Sequence, residues 1–513
     1  MVDPVKTVEE AWQGLKTLET RTLGALFEAD GKRVEKLTRR LEWPSAEGET
    51  VGMRVDFSKT HLDDAALEAF ETLAEASGFS YKREALFSGA IVNSTEGRPA
   101  SHGAMRGSGT EADTEEAAAL LARMGMLVEA IHEGVLGEVK HLIHIGIGGS
   151  ALGPALAIDA LTRDLAKVDV HVVSNIDGLA LERAFAACDP ATTLIAIASK
   201  TFTTIETMTN AASALAWLEK EGVADPSGRV VALTASPERA VEWGVDETRI
   251  LPFPESVGGR YSLWSSIGFP VALAIGMEEF REFLGGARAI DTHFRETDGR
   301  ANVPLLAAFA DQYYARLRGC QTRAVFAYDE RLALFPAYLQ QLEMESNGKA
   351  VSAEGEPVDD PTAVITWGGV GTDAQHAVFQ LLHQGTHLVP VDFVVSAAPG
   401  DALDPVHHRT LVLNCLAQGA ALMAGKASED AARAYPGDRP STLFLLDDLD
   451  PATLGALIAF HEHRTFANAV LLGINPFDQF GVELGKAIAK RIDAGEGDFD
   501  PSTEAAMEAA GLR

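Results

Sequence analysis

Ten residues near the middle of the chain, Gln340-Gln341-Leu342-Glu343-Met344-Glu345-Ser346-Asn347-Gly348-Lys349, place two carboxylates and an amide-rich turn where an apolar segment ends. A helix from about Pro336 would turn Leu339, Leu342 and Met344 toward a core, and Ser346-Asn347-Gly348 supplies residues that end helices and tolerate left-handed backbone. Glu345 then stands at a helix end, facing a turn. A carboxylate partly removed from water and held by neighbouring donors can abstract a proton from carbon. The competing reading is a solvated glutamate in a capping turn, the ordinary place for that residue.

Two segments could hold a phosphate. The run His141-Leu142-Ile143-His144-Ile145 leads into Gly146-Ile147-Gly148-Gly149-Ser150 and then a helix start at Ala151-Leu152-Gly153. Glycines let backbone N–H groups approach a ligand closely, so Gly149 and the Ser150 hydroxyl would form an anion site at a helix N-terminus. Gly146, Gly148 and Ala151 also fit a dinucleotide fingerprint. That reading wants an acid at the end of the next strand, where this chain has Ser174-Asn175 with Asp177 displaced. One strand later, Ser199-Lys200-Thr201-Phe202-Thr203-Thr204 crowds four hydroxyls and a lysine into one strand-to-helix turn. Hydroxyls and turn amides can meet three phosphate oxygens from several directions without burying many formal charges. Any single one of them could equally be a helix cap.

Other residues could complete the chemistry. Arg260, after Gly258-Gly259, can reach a ligand and stabilise an oxyanion developing on a carbonyl, or it can be a surface arginine after a turn. His376 sits where a glycine-rich exit from a strand enters the helix 377–384 and is a candidate general acid/base. Gln479 lies in a turn before the helix 482–492, and Lys486 one turn into it; that lysine could protonate a sugar ring oxygen or simply snorkel at the surface. His376, His383 and His387 share a helix face, yet His376 and His387 would lie ~16 Å apart along an unbroken helix, too far to share one ion. His383 and His387 lack an acidic or cysteine partner, and His461-Glu462-His463 reads as a helix terminus, so no metal is expected.

These residues need a scaffold. At 513 residues, 46% hydrophobic and 7% aromatic, the chain can build two or three domains. Its net charge of −31 repels nucleic acid on average, so a phosphorylated substrate needs a locally positive or amide-lined pocket. Cys188, Cys320 and Cys415 are few, widely separated and odd in number, which points to reduced thiols rather than disulfides or a cysteine zinc site. With no signal peptide at the N-terminus and no apolar run of ~18 residues, a cytoplasmic protein is expected, with no membrane partner. From about residue 138, β-rich runs at 141–147, 168–173, 194–198 and 230–233 alternate with helical segments, and a second series follows at 324–328, 363–366, 388–394, 442–446 and 469–472. That rhythm implies two parallel, helix-covered sheets with a cleft between them. The expected division is an accessory, mainly helical region at 1–112 packing on the larger part, a first α/β domain at 113–285 and a second at 286–513.

The ordered set of the 146–150 loop, the 199–204 turn, Gly258-Gly259-Arg260, the 344–349 turn, Gln375-His376 and the 477–486 segment closely resembles the glucose-6-phosphate isomerase family. Glu-Ser-Val-Gly-Gly-Arg-Tyr-Ser at 255–262 and Phe-Asp-Gln-Phe-Gly-Val-Glu-Leu-Gly-Lys at 477–486 look like its signatures, and the match spans most of the chain from about 88 onward. The resemblance implies two sugar isomerase (SIS) domains, each an α/β/α sandwich around a mainly parallel sheet, and a homodimer with active sites at the protomer boundary. It implies phosphate held by Gly149, Ser150, Ser199, Thr201, Thr204 and the Lys200 backbone, with Gln479 on the sugar. Arg260 would stabilise a cis-enediolate, Glu345 would shuttle the proton between C1 and C2, and His376 of the other protomer with Lys486 would open the ring. The implied reaction, in glycolysis and gluconeogenesis, interconverts D-glucose 6-phosphate and D-fructose 6-phosphate without cofactor or metal. The chain departs from the family at Ala151, commonly aspartate; at Gly369-Val370, commonly an acidic-proline pair; at His387, often lysine; and across 93–102. The alternatives from other classes are a SIS-domain sensor that binds sugar phosphate without turnover, and a nucleotide-dependent oxidoreductase.

Overall fold

A computed structural model describes residues 7–45, 48–163 and 166–512; residues 1–6, read above for a targeting signal, lie outside the described residues. The first sheet is built from β3 (His141–Ile145), β4 (Asp169–Val173), β5 (Thr193–Ala198), β6 (Val230–Thr234) and β7 (Ile250–Pro252), in the order β4-β3-β5-β6-β7. All its pairings are parallel. Every residue of β5 and β6 is buried, as a strand covered by helices on both faces requires. The chain leaves β3 for β4 on one side and then returns to β5 on the other, so a crevice opens at the carboxyl ends of β3 and β5. The glycine loop and the hydroxyl-rich turn stand at those two ends.

The second sheet carries β8 (Thr322–Tyr328), β9 (Ile365–Val370), β10 (Val391–Ser396) and β11 (Ser441–Leu446) in parallel, in the order β11-β10-β8-β9. The amino-terminal region adds a hairpin of β1 (Thr38–Pro44) and β2 (Thr50–Asp56), with β2 antiparallel to β11. That region is therefore not helical alone: Leu41 and Trp43 face inward while Arg40 and Glu42 face out, the alternation of a half-buried strand. The expected fold class, two α/β units with mainly parallel sheets, holds.

Between the units lies the helix Pro451–Leu472, buried along nearly its whole length and packed on the helix Met277–Glu296. Asp450 caps its start by accepting from the Thr453 N–H at 2.7 Å, and Gly473, at φ 68°, ends it in left-handed backbone. Two expectations fall here. Residues 469–472 are the last turn of this helix, not a strand, because a short apolar run has the same pattern in a buried helix as in a buried strand. His461-Glu462-His463 is not a terminus but the helix interior, where charge is paired rather than solvated. Glu462 accepts from Arg106 and from the Trp264 indole at 2.8 Å, His463 Nε2 lies 2.7 Å from Asp291, and Arg464 donates to Asp311 and Asp392. Among the described residues no helix is long and apolar enough to cross a membrane.

Candidate functional site

Glu345 ends a widened, π-type turn at Gln340–Glu345 that follows the short helix Phe335–Leu339. Such turns insert an extra residue into a helix and recur at functional sites. Leu339 and Leu342 are buried as expected. Met344 is not; it lines a cavity of about 710 Å³ together with Gln341, Glu345, Lys349 and Gln479, since a residue two positions after Leu342 falls on the opposite face of a helix. Glu343 points the other way, into the second sheet, where it accepts from Arg323 and from the Thr366 hydroxyl. Burial would raise its carboxyl, but Arg323 beside it holds it well below the usual carboxylate range.

The Glu345 carboxylate is fixed from two sides. Arg260 Nη1 donates to Oε1 at 3.1 Å and Gln341 Nε2 donates to Oε2 at 2.8 Å. Arg260 is itself buried and fully engaged. Its Nε donates to Ser346 Oγ at 2.6 Å, Nη1 also reaches Gln479 Oε1 at 3.0 Å, and Nη2 donates to the carbonyls of Pro476 and, at 3.1 Å, Asp478. Arg260 is thus not the surface arginine of the alternative reading. Lys349 Nζ ties the exit of the π turn to the same carboxy-terminal segment through Glu345 O (3.1 Å), Asp478 O (2.6 Å) and Asp478 Oδ1 (2.7 Å).

The glycine loop closes on this group. Gly148 takes φ 57°, and a methyl group on Gly149 would stand 2.2 Å from the Gly259 carbonyl, so the two glycine segments touch backbone to backbone. At the second segment, Ser199 and Thr204 hydroxyls pair at 3.2 Å and Thr201 and Thr203 at 2.8 Å. Thr204 is the N-cap residue of the helix Ile205–Lys220 but makes no side-chain cap bond, which leaves the first N–H groups of that helix without a capping acceptor. Phe202 holds the turn in shape: it is buried, yet adopts φ 53°, a conformation a bulky residue keeps only when its surroundings impose it. Lys200 Nζ donates to the carbonyls of Glu255 (2.6 Å) and Val257 (3.1 Å), binding the turn to the segment that carries Arg260. Burial, with Arg98 nearby, lowers its ammonium to about 8. Asp177 caps the helix Gly178–Ala187 by accepting from the Leu179 N–H at 3.1 Å, so it is not the free ribose-binding acid that the dinucleotide reading needs.

Two expected residues stand apart. His376 is exposed in the first turn of the helix Asp373–Gln384, and Lys486 is exposed on the helix Glu483–Asp493. Neither lines the Glu345 cavity, and of the expected phosphate-binding residues Gly149, Ser150, Ser199, Lys200, Thr201 and Thr204 none lines it either; what sets His376 and Lys486 apart is that neither side chain makes a hydrogen bond or ion pair with another described residue. Phe480 (52%) and Val482 (52%), which line the cavity, and Leu484 (70%), two residues before Lys486, are exposed.

The family model for phosphoglucose isomerase matches residues 56–507. The chain belongs to the phosphoglucose isomerase family. It is 70% identical over 510 residues to the glucose-6-phosphate isomerase of Erythrobacter litoralis, covering 98% of each chain, and 68% identical over 509 residues to that of Novosphingobium aromaticivorans, covering 99% of each. Its fold matches the crystal structure of a glucose-6-phosphate isomerase from Chlamydia trachomatis with a TM-score of 0.87, at 31% identity over 99% of both chains.

Several supports of this phosphoglucose isomerase family site were not singled out in the sequence. Gln341 on the carboxylate, Ser346 between Arg260 and the Tyr261 hydroxyl (2.8 Å), and Lys349 were legible only as members of a turn. Asn475 and Asp478 are held by Asn93 and Thr95, 380 to 383 positions earlier, within the segment where the family pattern is weakest. Asx and threonine clusters flanking a proline gave the one available signal.

Proposed function

We propose that the chain interconverts D-glucose 6-phosphate and D-fructose 6-phosphate through an open-chain sugar and a cis-enediolate. The observation that supports this most directly is the Glu345 carboxylate, clamped by Arg260 and Gln341 at the wall of a cavity large enough for a hexose phosphate. The phosphate sits against Gly149, Ser150, Ser199, Thr201, Thr204 and the Lys200 backbone, at the helix N-terminus left uncapped. Gln479 contacts the sugar. Glu345 removes the proton from C2 and returns it to C1; Arg260, a fixed cation beside it, stabilises the oxyanion formed between those steps. The proton moves between adjacent carbons of one molecule, so the chemistry draws on no redox cofactor.

Ring opening falls to Lys486 and to His376 of a second copy in a homodimer. Exposure of both side chains, and of the apolar strip Phe480, Val482 and Leu484 beside the cavity, supports a site completed by a partner chain. The three buried free thiols support a reducing, cytoplasmic location.

A coupled assay tests both parts. The parent chain turns over sugar phosphate in both directions, whereas Glu345→Gln and His376→Ala are each nearly inactive while still binding a sugar-phosphate inhibitor. When the two variants are unfolded together and refolded, half the dimers are hybrids with one intact site of two, so about a quarter of parent activity returns. A parent that binds the ligand without turnover would instead be a sensor, and no recovery on mixing would place His376 in its own protomer's site.

A further inference from the structure

A second cluster of reactive side chains lies at the opposite end of the first sheet. His141 opens β3 and pairs with Asp169 of β4, while His171 stands two residues beyond Asp169, opposite Ile143. Alternate strand residues share a face, so His141, Asp169 and His171 all point to the side covered by the helix Gly178–Ala187. Cys188 is the C-cap residue of that helix, packed in the same cluster as Ile143, Val173, Leu181 and Ala184. One ligating atom each from His141, His171 and Cys188 lies within 4.8 Å of the others, the one such group of three among the described residues.

Two features distinguish this cluster from ordinary packing. His141 Nδ1 and His171 Nε2 are both removed from water, and neither has a hydrogen-bond partner. Buried polar atoms without partners are costly, and two on adjacent strands beside a buried thiol mark a place where something else supplies the missing contact. Asp169 Oδ2 stands 3.9 Å from His141 Nδ1 at the open, solvent-facing side.

We propose that His141, His171 and Cys188 bind a divalent metal ion of the zinc class, with Asp169 or water in the fourth position. Two imidazoles and a thiolate suit zinc and disfavour magnesium or calcium, which require oxygen ligands. Zinc at ~2.1 Å from nitrogen and ~2.3 Å from sulfur spaces its ligand atoms about 3.3–3.8 Å apart, so the side chains need draw in by no more than about 1.5 Å on binding. Cys188 binds as the thiolate and its proton passes to the buffer. The five residues of β3 separate the site from the glycine loop by ~16 Å, which makes the ion a clamp on the sheet edge, joining β3, edge strand β4 and the helix behind them, and not a participant in isomerisation. The wide spacing of the cysteines argued against a cysteine zinc site, but Cys188 finds its partners in two histidines, on strands 47 and 17 positions earlier.

Cobalt(II) tests the assignment on the full-length, reduced, chelator-treated protein. One equivalent produces a thiolate-to-cobalt charge-transfer band that zinc then abolishes, and zinc raises the melting temperature. Cys188→Ser loses the band and the zinc-dependent rise while keeping its isomerase turnover; His171→Gln weakens cobalt binding at least tenfold and provides the same test should the serine variant not fold. Cys320→Ser and Cys415→Ser keep the band. Absence of the band in the parent, or its survival in Cys188→Ser, overturns the proposal.

Discussion

Arg260 has five N–H groups and every one of them has an acceptor: Ser346 Oγ, Glu345 Oε1, Gln479 Oε1 and the carbonyls of Pro476 and Asp478. This arrangement aims one positive charge at the proposed site of proton transfer and leaves it no freedom to turn away. A lysine would keep the charge but offers three donors on a flexible stem, so acceptors in a buried setting would lose their partners. Arg260→Lys is accordingly expected to lower kcat by about a hundredfold, while a competitive sugar-phosphate inhibitor binds within about threefold of the parent. Steady-state kinetics beside an inhibitor titration measure both, and an unchanged kcat would remove Arg260 from the proposed chemistry. At this scale the sequence was informative where residue type is tied to a rare local pattern. Two glycines before an arginine, or glycines after a strand, mark backbone that makes a close approach or takes a conformation other residues avoid. Gln341 and Lys349 carry no such mark, because their roles depend on what the fold brings opposite them.

The π turn Gln340–Glu345 couples the second sheet to the cavity. Glu343 is pinned to β8 through Arg323 and to β9 through Thr366, and Glu345, two residues on, faces the other way toward the cavity. Removing the charge of Glu343 leaves Arg323 with a weakened buried partner, and such losses typically cost about 3 kcal/mol. Glu343→Gln should therefore lower the melting temperature by several degrees and also lower kcat about tenfold, because the turn that aims Glu345 is no longer anchored. Thermal melts and kinetics on the same preparation decide it; reduced stability with unchanged kcat would mean that Glu345 is held by Arg260 and Gln341 alone. The helix was legible in the sequence but its widening was not, since Gln-Gln-Leu-Glu-Met-Glu fits an ordinary helix and the extra residue answers to contacts made by Glu343 with distant strands. The β1–β2 hairpin was missed for another reason: its alternation was present, but its partner strand β11 lies almost 400 residues later. The four strands of the first sheet read in the sequence share β-branched runs bounded by turn residues and were found close to their observed limits.

Across the whole molecule, the core that joins the two sheets is rich in buried titratable groups. His102, His144, His461 and His463 are all buried, and burial lowers the affinity of each for a proton; His144 falls to about 4. In the unfolded chain these histidines titrate near 6.5, so below that pH the unfolded state binds protons that the folded state does not. Stability is then fully present above pH 6.5 and is lost as pH falls toward the folded values, by up to ~1.4 kcal/mol per pH unit for each group. Asp291 works in the same direction lower down. Burial opposes its ionisation, but Arg106 and His463 hold it well below the usual carboxylate range, so its stabilising contribution disappears only as the unfolded carboxyl takes up protons below about pH 4. The −31 net charge acts oppositely: acid reduces the self-repulsion of so acidic a chain and should favour compaction. The buried histidines win in the range 7.5 to 5.5, because each opposes folding through its own desolvation while surface repulsion is screened within about 8 Å by physiological salt. Urea unfolding at fixed protein concentration should give a lower stability at pH 5.5 than at pH 7.5, with His144 alone contributing about 1.4 kcal/mol of the loss and the other three adding to it in the same direction. A flat profile over that interval would require these histidines to take up protons as readily in the folded core as in the unfolded chain, and hence a rearrangement of the helix Pro451–Leu472 around His461 and His463.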